Sequence, residues 1–234
     1  MDKELLQLFD LKQHAFYFDQ TKCGACGACI VACKDWNQIN PGAVSRRKQW
    51  TYDWNFGQGE RSFPLSMSCA NCDNPACVTS CSAGAISKDP DNGIVTIDRA
   101  KCIGLKTCIT ACPWAKPEIA DDKQEPHPIN TWKIRHPAQK CTTCLGDRLD
   151  RASDKPACVL ACPGRCLDFG TVEYIKNVYG NDPDFVRLNP TDFPYVYVNN
   201  KNDTGPNVYI KKMKPTGGQA GMKVHKSTIY TGKY

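Results

Sequence analysis

Sixteen cysteines stand in a chain of 234 residues, and all but one fall into four groups with short, recurring spacings. The first group, CGACGACIVAC, holds Cys23, Cys26, Cys29 and Cys33. The second, CANCDNPACVTSC, holds Cys69, Cys72, Cys77 and Cys81. The third holds Cys102, Cys108 and Cys112. The fourth joins CTTC to CVLAC and holds Cys141, Cys144, Cys158 and Cys162, while Cys166 stands alone. A repeat of this kind is read before any other signal, because it organises the whole chain.

Cysteines two or three residues apart seldom bridge one another, and disulfide frameworks belong mainly to short secreted chains. Such neighbours can converge on one metal centre. A zinc ribbon needs two CxxC pairs, four ligands in all. Here the groups come as three plus one, and the four histidines all lie outside them. C-x2-C-x2-C-x3-C is instead the signature of a [4Fe–4S] site, in which the fourth cysteine ligates the other cluster of a two-cluster ferredoxin. Gly24, Ala25, Gly27 and Ala28 are small enough to let the backbone approach cluster sulfides.

That exchange of fourth cysteines gives a pairing. Cluster A takes Cys23, Cys26, Cys29 and Cys162. Cluster B takes Cys33, Cys141, Cys144 and Cys158. Cluster C takes Cys69, Cys72, Cys77 and Cys112. Cluster D takes Cys81, Cys102 and Cys108, with Leu105 where the motif has a further cysteine. Leucine cannot ligate iron, so D is expected to be a [3Fe–4S] cluster beside three [4Fe–4S] clusters. The alternative is four [4Fe–4S] clusters, with a non-cysteine ligand at D. Leu105 is also expected to keep water from the open corner.

The order and spacing of the groups, with SMSCANCDNPAC, GAISK, CIG…C…ACP and KCTTC…DR…KPAC…ACP…LDFG, resemble the four-cluster iron–sulfur (electron-transfer) subunits of the molybdopterin oxidoreductase family, most of all the dimethyl sulfoxide reductase branch. The resemblance covers roughly residues 14–175. Leu105, the long stretch between Cys144 and Cys158, and Cys166 depart from it. It implies a chain that is not an enzyme on its own but an electron relay. Its partners would be a molybdopterin-containing catalytic subunit and a membrane anchor or other quinol-linked subunit. It also implies a membrane-associated complex, on the extracytoplasmic face by co-export with the catalytic subunit, or in the cytoplasm.

The expected fold class is α+β, with two ferredoxin-like units, one inserted in the other. Residues 14–60 and 126–175 would form the unit with clusters A and B. Residues 61–125 would form the inserted unit with C and D. Residues 176–234 would be an extended, partner-wrapping tail. HAFYFD (14–19) reads as a strand, and AISKDPDNGIVTID (85–98) as strand, turn, strand, with Asp-Pro-Asp-Asn-Gly supplying the turn. Short helices follow Cys29 and Cys77. TVEYIKNVYG reads as a helix ending at Gly180, and PYVYVNN and NVYIKK as strands. The Gly-rich end, from about Pro194, has little to bury and is expected to be ordered mainly on a partner.

The formal charge is +6, from 30 Lys and Arg against 24 Asp and Glu. Anionic clusters would absorb most of that excess, and no basic run is interleaved with aromatics, so nucleic acid is not an expected partner. No segment approaches the ~20 apolar residues of a membrane span. The start of the chain lacks the apolar core of a signal peptide, and Arg46-Arg47 lies too far in to direct export. Two other functions compete with electron relay. A self-contained iron–sulfur enzyme would need thiols to spare, and no P-loop, GxGxxG or radical Cys motif is present. A zinc-binding nucleic-acid module conflicts with the three-plus-one spacing. Trp114, beside Pro113, is expected to pack over a cluster. His127 and His136 read as surface or packing residues, Lys22 as solvated, and Cys166 as a small buried apolar residue.

Overall fold

A computed structural model describes residues 13–55, 60–145, 155–193, 196–199, 202–213 and 224–229 of the chain. Its strands are β1 (His14–Asp19), β2 (Lys48–Asn55), β3 (Glu60–Met67), β4 (Ile86–Lys88), β5 (Val95–Ile97), β6 (Leu167–Thr171), β7 (Phe185–Arg187), β8 (Val208–Lys211) and β9 (Val224–Ile229). Its described helices are short: α1 (Ala28–Trp36), α2 (Ala76–Thr79), α3 (Thr107–Ala111), α4 (Ala157–Leu160) and α5 (Val172–Tyr179).

A four-stranded sheet runs in the order β6-β1-β8-β7, with β1 and β8 parallel and the other pairs antiparallel. HAFYFD forms β1, as its aromatic content suggests. Its side chains alternate between two cores. Phe16 and Phe18 face the cluster of Phe169, Leu65 and Met67, while Ala15 and Tyr17 face Val172, Ile175 and Tyr209. The second core belongs to α5. That helix starts where Thr171 Oγ1 accepts the Tyr174 N–H at 3.1 Å, with Glu173 in its first turn, as a capped and dipole-matched helix should. β2 pairs with β3 and with β9 in a second sheet. β4 and β5 form the hairpin expected over 85–98, with Ile86 opposite Ile97.

The C-terminal part departs from expectation. Val196–Asn199 is not a strand; its backbone instead crosses Pro113, whose carbonyl accepts from the Val198 N–H at 2.8 Å. NVYIKK does form a strand, but as β8 it lies inside the four-stranded sheet with Ile210 fully buried. Thr204 and Asn207 are buried too. Residues 202–213 therefore pack on the chain's own core, because Val208 and Ile210 complete the apolar face that Phe16 and Phe18 begin. The Gly-rich stretch 214–223 lies outside the described residues.

Candidate metal centres

Four of the five short helices, α1 to α4, carry or adjoin two cysteines one turn apart. α1 contains Cys29 and Cys33. α2 carries Cys77 and ends two residues before Cys81, α3 carries Cys108 and ends next to Cys112, and α4 carries Cys158 and ends two residues before Cys162. α1 packs on α4, and α2 packs on α3.

The sulfurs gather in four places. Cys23, Cys26, Cys29 and Cys162 line one cavity of about 220 Å³, together with Cys166. Cys33, Cys141, Cys144 and Cys158 line a second, with Arg46 and Arg47 in its wall. Cys69, Cys77 and Cys112 stand within electrostatic range of Cys72. Cys81, Cys102 and Cys108 line a third cavity with Leu105. Among the described residues no three His, Cys, Asp or Glu side chains form a group that could hold a single metal ion. The sulfurs surround spaces, as a cluster requires.

The loops repeat in backbone conformation as well as in sequence. Left-handed φ values occur on both sides of Cys26, at Ala25 (56°) and Gly27 (75°), and on both sides of Leu105, at Gly104 (78°) and Lys106 (61°). Gly27 and Lys106 are also the N-caps of α1 and α3. Leu105 thus takes the place in its loop that Cys26 takes in the first. Left-handed alanine or lysine is unfavourable unless its surroundings impose it. A second repeat follows the last cysteine of three groups, at Gly84, Ala115 and Arg165, each three residues on. Leu105 is 54 % exposed, so it covers its cavity only in part and is a weaker barrier to water than expected.

Burial pushes the Cys77 thiol up to about 12, and the Cys108 and Cys158 thiols up to about 11. Buried thiols of this kind become thiolates when a metal replaces the proton. Hydrogen-bond donors stand ready for several of them. Ser66 Oγ lies 3.2 Å from Cys29 Sγ, and Thr204 donates its hydroxyl to Cys72 Sγ at 3.1 Å. Backbone N–H groups of Lys116, Thr143 and Cys166 point to Cys112, Cys141 and Cys162 at 3.3–3.4 Å.

Three buried cations give a separate test of what fills these spaces. Arg47, Lys116 and Lys140 are each at most 3 % exposed, and none pairs with a carboxylate among the described residues. Lys116 Nζ donates to Met67 O at 3.1 Å and lies over the Trp50 ring. Lys140 Nζ donates to the carbonyls of Cys141 and Val95. Arg47 Nε is buried without a partner. An unpaired buried cation costs several kcal/mol, and burial lowers the Lys116 pKa to about 7, so an anion nearby is what would keep such groups charged. The donor set and the cations therefore fit anionic, thiolate-bound iron–sulfur clusters. Around Arg47, burial works to lower the pKa, yet Cys158, Cys29, Cys141 and Cys33 hold it above the ordinary arginine value.

The sequence assigned no role at the clusters to Arg47, Ser66, Lys116, Lys140 or Thr204, although Ser66 and Lys140 stand at the head of motifs that carry the family resemblance. Cys166 is buried as expected, but it is not an inert packing residue. Its Sγ lies 3.2 Å from Cys162 Sγ. A hydrogen bond with Cys23, reinforced by burial, keeps Cys166 protonated, and the same bond lowers the Cys23 pKa. Trp114 is buried, with its ring 5.4 Å from that of Tyr197. His127 is exposed, and His136 joins a surface network with Asp122 and Glu125. Lys22 is exposed and pairs with Asp19.

A family model described as a 4Fe-4S dicluster domain matches residues 61–172. One chain of the anaerobic dimethyl sulfoxide reductase of Escherichia coli (strain K12) is 32% identical over 220 residues, covering 89% of this sequence and 95% of that one. This protein belongs to the family of iron–sulfur subunits of molybdopterin oxidoreductases. Further relatives include a subunit of the sulfite dehydrogenase of Allochromatium vinosum, 34% identical over 74% of this chain and 72% of its own. The thiosulfate reductase electron transfer subunit PhsB of Salmonella typhi is 33% identical over 69% of this chain and 77% of its own. The chain is accordingly an electron-transfer iron–sulfur subunit, not a catalytic one. Among the described residues no helix is long and apolar enough to cross a membrane.

Proposed function

We propose that this subunit relays electrons through four clusters between a molybdenum or tungsten pterin catalytic chain and a quinone-linked partner. Cys23, Cys26, Cys29 and Cys162 would hold A; Cys33, Cys141, Cys144 and Cys158 would hold B. Cys69, Cys72, Cys77 and Cys112 would hold C; Cys81, Cys102 and Cys108 would hold D. A, B and C would be [4Fe–4S] clusters and D a [3Fe–4S] cluster. When bound, the clusters supply one-electron redox chemistry, and the chain's residues space them and set their potentials.

The observation that carries this reading is the sharing of helices. Cysteines one helical turn apart lie on the same face, and α1 and α4 each serve sulfurs of the A and B cavities. α2 and α3 do the same for C and D. Each pair of clusters would thus be held close enough for direct exchange. Lys140, bonded to the Cys141 carbonyl and in electrostatic range of Cys77, would lie between B and C.

The same helix pairs support two ferredoxin-like units, with 61–125 inserted between 14–60 and 126–175. Within 176–234, β8 and β9 pair with the chain's own strands, so a partner-wrapping role would fall to the residues between and beyond them. The complex would be membrane-associated through its partners, and facing outward if the catalytic chain carries an export signal. The test is purification of the native complex, with metal analysis and EPR. Co-purification of a molybdenum- or tungsten-bearing chain, four independent iron–sulfur signals and a three-iron signal in the oxidised state are expected. Zinc in place of iron would overturn the reading.

A further inference from the structure

We infer that Arg47 is a shared counter-cation of clusters A and B, and that it sets both reduction potentials together. This rests on the ligand assignment proposed above.

Arg47 is 1 % exposed and lies in the core between the two cysteine sets. It has an arm toward each. Toward A, Nη1 donates to Ser66 Oγ at 3.2 Å and to Ser66 O at 3.3 Å, and Ser66 Oγ stands 3.2 Å from Cys29 Sγ. A guanidinium has donors only. Ser66 Oγ must therefore accept from Arg47, which leaves its own proton for the Cys29 sulfur. Toward B, Arg47 forms part of the wall of the cavity lined by Cys33, Cys141, Cys144 and Cys158. The fork is held on its remaining sides by Ser68 Oγ, 3.1 Å from Nη2, and by the Phe16 ring, 4.6 Å from Cζ. Nε has no partner among these groups, so one N–H is left for a cluster sulfur.

The electrostatics then fix the sign. Reduction adds negative charge to a cluster, and a nearby buried cation stabilises the reduced form more than the oxidised one. Hydrogen bonds to cluster sulfurs act in the same direction. Arg47 is charged at every accessible pH, so its effect is permanent. One residue thereby raises the potentials of two neighbouring clusters together and leaves the difference between them little changed. Ser66 carries the effect to A alone.

The experiment is an EPR-monitored redox titration of the complete complex carrying R47Q, R47K or S66A, with iron content measured in parallel. In R47Q the A and B midpoints should both fall, each by about tenfold in electron affinity, about 59 mV for one electron, while C and D hold. R47K should restore part of both shifts. S66A should lower A and leave B in place. A shift of only one cluster in R47Q, equal shifts of all four, or none would overturn the inference. If R47Q fails to load iron, S66A decides: B moving with A, or A not moving, is the overturning result. Failure of the ligand assignment has its own signature, because Cys29→Ala and Cys158→Ala would then abolish the same signal. Failure of the inference alone leaves those signals separate and unmoved by R47Q.

Discussion

Thr204 donates its hydroxyl to Cys72 Sγ at 3.1 Å, across 132 positions of sequence. The segment after the last cysteine group thus reaches back to the second cysteine group, proposed above to hold cluster C. Thr204→Val keeps the shape and removes the donor. A bond about 1 kcal/mol stronger to the reduced state is worth roughly 40 mV for one electron. Cluster C should therefore fall by about that much in Thr204→Val, with iron content unchanged. Potentiometry showing a constant C midpoint would argue that the contact carries no weight.

Ile210 is fully buried in β8, between β1 and β7. Ile210→Ala should cost about 2–5 kcal/mol, the range for such truncations in a packed core. Equilibrium or thermal unfolding of the variant complex checks it. An effect below about 0.5 kcal/mol, typical of surface positions, would mean that β8 is not part of the stable core.

Leu105 repeats the backbone setting of Cys26, flanked by left-handed Gly104 and Lys106. Leu105→Cys should place a fourth sulfur at site D without a change of loop. The oxidised three-iron signal should vanish, and the D midpoint should drop by roughly 120 mV or more, since potential follows cluster type and charge. Retention of the three-iron spectrum in an iron-replete variant would contradict the loop equivalence.

Cys166 stands against Cys162 and Cys23 as a protonated thiol. Cys166→Ala should leave all clusters in place and lower the A midpoint, while Cys166→Ser, which keeps a donor, should restore most of it. Loss of iron in Cys166→Ala would instead make Cys166 a ligand.

Asp168 ties α5 to β6: Lys155 Nζ lies 2.8 Å from Oδ1, and the hydroxyls of Tyr174 and Tyr179 donate to Oδ2 at 2.9 and 2.8 Å. Burial works to raise its pKa, but these partners hold it below the usual carboxylate range. A depressed folded pKa means stability that is present above the unfolded value of about 3.9 and lost as pH falls through the folded one. Asp168→Asn should melt lower than wild type by a constant margin above about pH 5, and the margin should shrink below about pH 4. A margin that grows in acid would refute this.

The sequence alone determined the cysteine groups, the β4–β5 hairpin, β1, the short helices and the leucine standing in for a cysteine at position 105. All of these are local: ligand spacing, turn residues and alternating apolar positions write themselves into a few consecutive letters. Only the tertiary structure decided what surrounds the sulfurs. Arg47 reads in sequence as half of a basic pair, and only its burial beside Ser66 and the Cys158 cavity, with no carboxylate partner among the described residues, suits it to the counter-cation role proposed above. Thr204 sits in what reads as a polar tail. Its role exists because β8 pairs in parallel with β1, and parallel pairing joins segments far apart in the chain. The strand expected at PYVYVNN failed for the same reason. Val196 and Tyr197 are buried, Tyr197 beside Trp114, while the backbone bonds to Pro113 and leaves Val198 exposed, a choice that hydrophobic alternation does not encode.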